Sequence, residues 1–344
     1  MNSFKLVIIR AMRLLLLQED VLLGGQAVLE GVMMRSPRSM AVAVRRPDGR
    51  IAVFRQRIAA LADMHPVLRW PVVRGAVVMI QALVLGFRSL NFSAEAAFEA
   101  LRGGSDGPVA TPEAAGAAPE AAAPSRAETA AGTGAIIGSL AVALALGFGL
   151  FFLLPLALTQ LLRAFVPALA NSIAFNLVDG LIRIAIFLLY IFGISLLRDI
   201  HRVFEYHGAE HKTVHAHEAH TALTVENVRG RSRLHPRCGT SFLLVVMVVS
   251  ILVFSFLPAN RPFYLMIFPR LAMVPLIAGL SFEVIRLSAR RLKNPVCRAM
   301  VQPGLWLQRI TTQEPSDDQI AVAIRALEEA LAMEAGGGPE VVPA

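Results

Sequence analysis

Four apolar runs, 134–162, 172–197, 240–257 and 262–282, decide most of what the chain can become. A helix rises about 1.5 Å per residue, so crossing a hydrocarbon core of about 30 Å takes roughly 20 apolar residues. Each run approaches or exceeds that length, with 240–257 at the short end. Composition agrees: hydrophobic residues make up 55% of the 344 and charged residues 17%, against about 25% charged in soluble domains. That leaves too few polar side chains to cover a soluble surface, and it excludes an intrinsically disordered chain. The expected fold class is a mainly α-helical integral membrane protein with about four transmembrane helices.

Lys and Arg number 33 against 25 Asp and Glu, a net charge of +8. Such a balance suits nucleic acid or an anionic membrane face. In a multi-span chain the plainer reading is the arginine excess that sets topology, so the bilayer is the expected partner and nucleic acid is not. The links between the first two runs and between the last two carry only Arg163 and Arg261. The link 198–239 carries Arg198, Arg202, Lys212, Arg229, Arg231, Arg233 and Arg237, and Arg286, Arg290, Arg291, Lys293 and Arg298 follow the last run. This asymmetry puts both termini and the middle link in the cytoplasm. Cys238 and Cys297 cannot build a disulfide framework and fit a reducing compartment.

The chain then divides as follows. Residues 1–22 form a basic amphipathic extension, whose apolar stretch is broken by Arg10 and Arg13 and suits a helix lying on the membrane. Residues 23–102 hold a glycine-rich motif, a small cytoplasmic β-hairpin and a short apolar helix. In the hairpin, extended runs at 40–45 and 50–57 flank Arg46-Pro47-Asp48-Gly49, where Pro sets φ, Asp caps the turn and Gly accepts φ > 0. The thirteen uncharged residues 75–87 reach roughly 20 Å, short of a span, so a re-entrant or interfacial helix is expected. Residues 103–133 are Ala, Pro, Gly and Glu and read as a disordered linker. Spans at 134–197 and 240–282 bracket a cytoplasmic His-rich segment, 198–239. The cytoplasmic tail, 283–344, ends in an amphipathic helix: Ser316 and Gln319 form a capping-box signature, Ile320, Ile324, Leu327 and Leu331 make the apolar stripe, and Glu328 and Glu329 fall on the wet face.

Seven of the eight histidines fall between His201 and His235, most densely in His207-Gly-Ala-Glu210-His211-Lys-Thr-Val-His215. On a helix His211 lies about 40° from His207, His215 about 80° and Glu210 about 60° to the other side, so all four share one broad face. His at i and i+4 lets two imidazoles reach one tetrahedral metal, and the order H-x-x-E-H is that of inverted zincins, where the Glu is general base. The candidate ligands are His207 and His211, with Glu283, 72 residues beyond His211 (283 − 211), as third ligand and Glu210 as catalytic base. His215, His235 and Cys238 compete for the third position, and Cys/His ligation would suit a closed structural zinc. Arg237, Arg35 and Glu30 are candidate substrate or oxyanion contacts. Within the spans, Asp179 and Arg183 at i and i+4 can neutralise one another, and Arg270 lies between Pro269 and Pro275 in a helix that must kink. The glycine-rich run Gly24-Gly25-Gln26-Ala27-Val28-Leu29-Glu30-Gly31-Val32-Met33-Met34-Arg35 reads as a loop, with three glycines but neither a Walker lysine nor dinucleotide spacing.

The segments GGQAVLEGVMMRSPRSMAVAVRRPDG, YHGAEHKTVHAHE, LTVENVRGRSRLHPRCGTSFL, SFEVIRL and PGLWLQRITTQEPSDDQIAVAI together resemble the YqhQ-type bacterial membrane proteins. That is a domain-of-unknown-function family described as metal-dependent by prediction. The resemblance covers most of 23–333. It implies a multi-pass protein of the bacterial cytoplasmic membrane with a zinc or other divalent transition-metal site at His207, Glu210 and His211. Two functions compete: a cytoplasm-facing metal-dependent hydrolase, and a non-enzymatic accessory or regulatory subunit of a transport, translocation or cell-envelope complex. The second would carry a structural metal, with membrane-protein partners or a second copy of the chain docking on the cytoplasmic elements.

Overall fold

The computed structural model describes residues 23–58, 66–101, 138, 141–291, 293–336 and 341–342. The basic extension at 1–22 and the linker at 103–133 lie outside them. The chain forms two compact units, one drawn from 1–104, 192–249 and 274–344 and the other from 105–191 and 250–273.

The first unit is built on a sheet in which strands β1 (Gly24–Val28), β2 (Gly31–Arg35), β3 (Ser39–Arg45) and β4 (Ile51–Ile58) follow one another as an antiparallel meander. A two-residue strand, β5 (Val341–Val342), adds in parallel to β4. The turn at 46–49 forms as its residues demand: Gly49 takes φ +84° and Asp48 accepts the Arg50 N–H at 2.9 Å. The sequence foretold only this hairpin. The glycine-rich motif supplies the other two strands, which reverse over Leu29-Glu30 with Glu30 at φ +54°. Gly31 is needed because a Cβ there would stand 2.2 Å from the Ala43 carbonyl oxygen.

Both sheet faces are buried, which is why β3 is apolar almost throughout. Val32, Met34, Ala41 and Ala43 face Ile320, Ala323 and Leu327 of α10 (Asp317–Ala335), together with Tyr206 and Ala209 of α4 (Arg198–Glu218). Val28, Met33, Met40, Val42 and Val44 face Leu85 and Ala96 of α1 (Val73–Leu101). Each large apolar side chain buried this way contributes about 1.5–3 kcal/mol. The capping box forms at Ser316 and Gln319. Glu329 departs from the expected wet face: it is 7% exposed, held by Arg55 and Arg325 at 2.6 Å each.

Among the described residues, three helices are long and apolar enough to cross a membrane: Val73–Ala97 within α1, α2 (Ala141–Arg163, with a π turn at Gly149–Leu153) and α3 (Ser172–Ser195). The pair α7 (Phe263–Ala272) and α8 (Val274–Arg290), bent by 47° at Met273 beside the foreseen prolines, makes a fourth when taken together as one broken span. The segment 75–87 is no short re-entrant piece: it continues through Arg88 in one 29-residue helix. The run 240–257 is shorter than foretold, for α6 (Gly239–Phe254) stops at 16 residues, ahead of Pro258. A five-residue helix, α5 (Val225–Arg229), follows α4, and α9 (Pro295–Thr311) precedes α10.

In the second unit Leu156, Phe175, Ala259 and Met266 form a small core. Asp179 and Arg183 pair at 3.0 Å, and Arg270 donates to Asn176 Oδ1 at 2.5 Å, all four buried. Each guanidinium also lies over the Phe254 ring, at 5.3 Å for Arg183 and 5.5 Å for Arg270. Two cations are thus accommodated with one carboxylate, an amide and an aromatic face.

Candidate metal centre

Although α4 is polar in sequence, Tyr206 through Val214 are all buried. Two glycines make that possible. At Gly208 the backbone of 312–315 lies directly on the helix: Gln313 donates its N–H to the Phe204 carbonyl at 2.8 Å, and a Cβ on Gly208 would stand 2.0 Å from the Gln313 carbonyl oxygen. Gly25 of β1 approaches from the sheet. A Cβ there would stand 2.7 Å from Glu210 Cγ and 2.6 Å from the Met33 carbonyl oxygen, and its N–H donates to the Glu210 carboxylate.

Between these contacts the candidate ligands converge. One ligand atom each from His207, His211 and Cys238 lies within 4.8 Å of the others. His207 Nδ1 donates to the Thr311 carbonyl at 2.7 Å, and His211 Nδ1 donates to the Arg233 carbonyl at 2.5 Å. A carbonyl can only accept, so both Nδ1 atoms carry a proton, and in the neutral ring each Nε2 presents the lone pair. Outer hydrogen bonds of this kind orient metal-binding histidines. His207 Nε2 faces Cys238 Sγ at 3.2 Å, close to the separation of about 3.5 Å for a nitrogen and a sulfur on one tetrahedral zinc. His211 Nε2 is buried with no hydrogen-bond partner among the described residues. An orphaned imidazole lone pair beside a thiol is a costly void in a protein interior and an apt place for a cation.

Cys238 immediately precedes α6. Its sulfur receives the Thr240 N–H at 3.4 Å and lies 3.1 Å from the Thr240 hydroxyl, donors suited to a metal-bound thiolate. Glu210 Oε2 stands 3.9 Å from His207 Nε2 and 3.7 Å from His211 Nε2. Burial pushes its carboxyl up to about 7, against the pull of His207 and the Gly25 N–H. The set His207, His211 and Cys238 therefore fits a zinc-class ion, with Glu210 beside it as a fourth donor or a proton carrier.

The remaining candidates lie elsewhere. Glu283 accepts two hydrogen bonds from Arg74, at 2.7 and 2.6 Å, in an ion pair that joins α8 to α1 near the close approach of Gly75 and Gly279. The structure thus brings Cys238, not Glu283, to the two histidines. Glu283→Gln is expected to leave metal content unchanged and to lower stability by about 2 kcal/mol, read as thermal unfolding in detergent; metal loss on that substitution would return Glu283 to the ligand set. Glu30 pairs with Arg202, and burial together with Glu30 raises the Tyr206 hydroxyl's pKa. Arg35 donates to Gln81 at 2.6 Å, and desolvation lowers its pKa.

His215 and His235 form a separate group with Glu218, which Arg237 also engages. Burial works against ionisation of Glu218, but the His235 hydrogen bond and the charges of His235 and Arg237 outweigh it, leaving the carboxyl below its ordinary range. Burial also holds the His235 imidazole below its ordinary value despite Glu218. Glu218 escaped the sequence reading because it belongs to no zinc motif. The two carbonyls that orient His207 and His211 left no sequence signal at all, since any residue can supply a backbone oxygen.

The profile of a family described as "Protein of unknown function (DUF1385)" matches residues 70–333. "Uncharacterized protein YqhQ" of Bacillus subtilis (strain 168) is 36% identical over 312 residues, covering 91% of this chain and 93% of the relative. No solved structure matches the chain.

Proposed function

This chain belongs to the DUF1385 family, whose description assigns no activity, and we propose from its site that it is a zinc-dependent hydrolase of the bacterial cytoplasmic membrane. The observation that carries the reading is the orphaned Nε2 of His211, grouped with His207 and Cys238 and flanked by Glu210. Three protein ligands leave a zinc ion with one open position. Such an ion supplies Lewis acidity, polarising a substrate carbonyl or phosphoryl oxygen. Glu210 takes a proton from the attacking water and returns it to the leaving group, and the Gly25 N–H holds its carboxylate in position. The arginine excess of 198–239 and of the segment after 282 supports a cytoplasm-facing site.

A second reading rests on burial. His207, Glu210, His211 and Cys238 are each at most 9% exposed, which suits a closed zinc in an accessory subunit, with Glu210 as fourth ligand. Cobalt-substituted protein titrated with acetohydroxamate separates the two. The hydrolase reading expects the cobalt spectrum to shift on hydroxamate binding, and expects Glu210→Gln to keep both the metal and the shift. A spectrum indifferent to hydroxamate, with metal lost from Glu210→Gln, would establish the closed site instead.

A further inference from the structure

Toward the C-terminal end of α4, past the first set of donors, lies a second set that the first does not use. His215, Glu218 and His235 each bring a ligand atom within 4.8 Å of the other two. His215 and Glu218 stand three residues apart on one helix face, and His235 comes from the segment that leads into α6. His215 Nε2 donates to the Leu234 carbonyl at 2.9 Å, so its Nδ1 carries the lone pair, and the orienting carbonyl repeats the arrangement at His207 and His211. His235 Nε2 faces both Glu218 oxygens, at 3.4 and 3.5 Å. Two ligands on one tetrahedral ion with bonds of about 2.1 Å lie about 3.4 Å apart. The four imidazoles run in series, with ring centroids 4.4 Å apart for His207 and His211, 5.7 Å for His211 and His235, and 4.7 Å for His235 and His215.

We propose that His215, Glu218 and His235 form a second divalent-cation site beside the His207–His211–Cys238 site. Its donors are two nitrogens and an oxygen with no sulfur, a set suited to zinc or cobalt. The cation takes the place of the proton that His235 Nε2 shares with Glu218. The Arg237 guanidinium also rests on Glu218 and competes with the ion, so this site is the weaker and fills second. Glu218 is exposed, which gives the site a path to solvent.

Cobalt titration of the full chain in detergent tests this. The wild type is expected to bind two equivalents, the first with sulfur-to-cobalt charge-transfer absorption and the second without it. Glu218→Gln and His215→Ala, both at the margin of the core, should each lose the second equivalent and keep the sulfur band. Arg237→Ala should tighten the second equivalent by about tenfold by removing the competing charge. Saturation of the wild type at a single equivalent that carries the sulfur band would overturn the proposal, and so would no binding at all or two equivalents persisting in Glu218→Gln and His215→Ala. Binding at the second set with no sulfur band would sustain this site and count against the metal at Cys238, so the two assignments fail separately.

Discussion

Replacing His207 and His211 together with alanine abolishes the sulfur-bound metal: at one equivalent of cobalt the charge-transfer band is absent, and affinity at that site falls by more than about a thousandfold. The size follows from the ligand count. Apparent zinc binding at full protein sites amounts to roughly 10–16 kcal/mol, and losing two of three protein ligands removes at least about 5 kcal/mol of it. The substitutions also remove two inner hydrogen-bonded groups, His207 to Thr311 and His211 to Arg233, so folding is monitored in parallel by thermal unfolding. A folded double variant that keeps the band would show that the sulfur ligates elsewhere.

Gly208→Ala carries the second large effect, and its sign is the informative part. In an exposed helix, alanine in place of glycine stabilises by about 1 kcal/mol. Here the added methyl would stand 2.0 Å from the Gln313 carbonyl oxygen, a backbone atom that cannot rotate away. Segment 312–315 must shift, loosening the Gln313 to Phe204 hydrogen bond and the Thr311 carbonyl that orients His207. The expected loss is about 2–3 kcal/mol, typical of overpacking, and a melting temperature lower by several degrees, together with weakened metal binding. An unchanged or higher melting temperature would contradict this packing.

These two substitutions also mark where the sequence could be read and where it could not. The HxxEH spacing is a short-range property of one helix, and α4 keeps it: His207, Glu210 and His211 are buried together. The turn at 46–49 and the cap at Ser316 are equally local, and both form as read. The third ligand is a long-range matter. Glu283 had a suitable residue type and a suitable place in the charge-derived topology, but nothing in the sequence announced that Arg74, 209 residues away, would engage it. Cys238 had the better claim because it opens α6, where the Thr240 N–H and hydroxyl meet its sulfur. Gly208 is unfavourable in a helix by propensity alone, and here it is a contact point. The glycine-rich run from Gly24 to Arg35 reads as a loop because a sheet buried on both faces lacks the alternation that marks a half-exposed strand. Helix α1 was underestimated for a related reason: charge was taken as its boundary, whereas Arg74 and Arg88 both lie inside the helix.

In the proposed metal centre His207, His211 and Cys238 hold one ion. Zinc X-ray absorption on the full-length protein loaded with a single equivalent tests it most directly. The expected spectrum has one sulfur scatterer at about 2.3 Å beside two imidazole nitrogens at about 2.0 Å, with the sulfur shell lost in Cys238→Ser. A wild-type spectrum of nitrogen and oxygen ligands alone would contradict it.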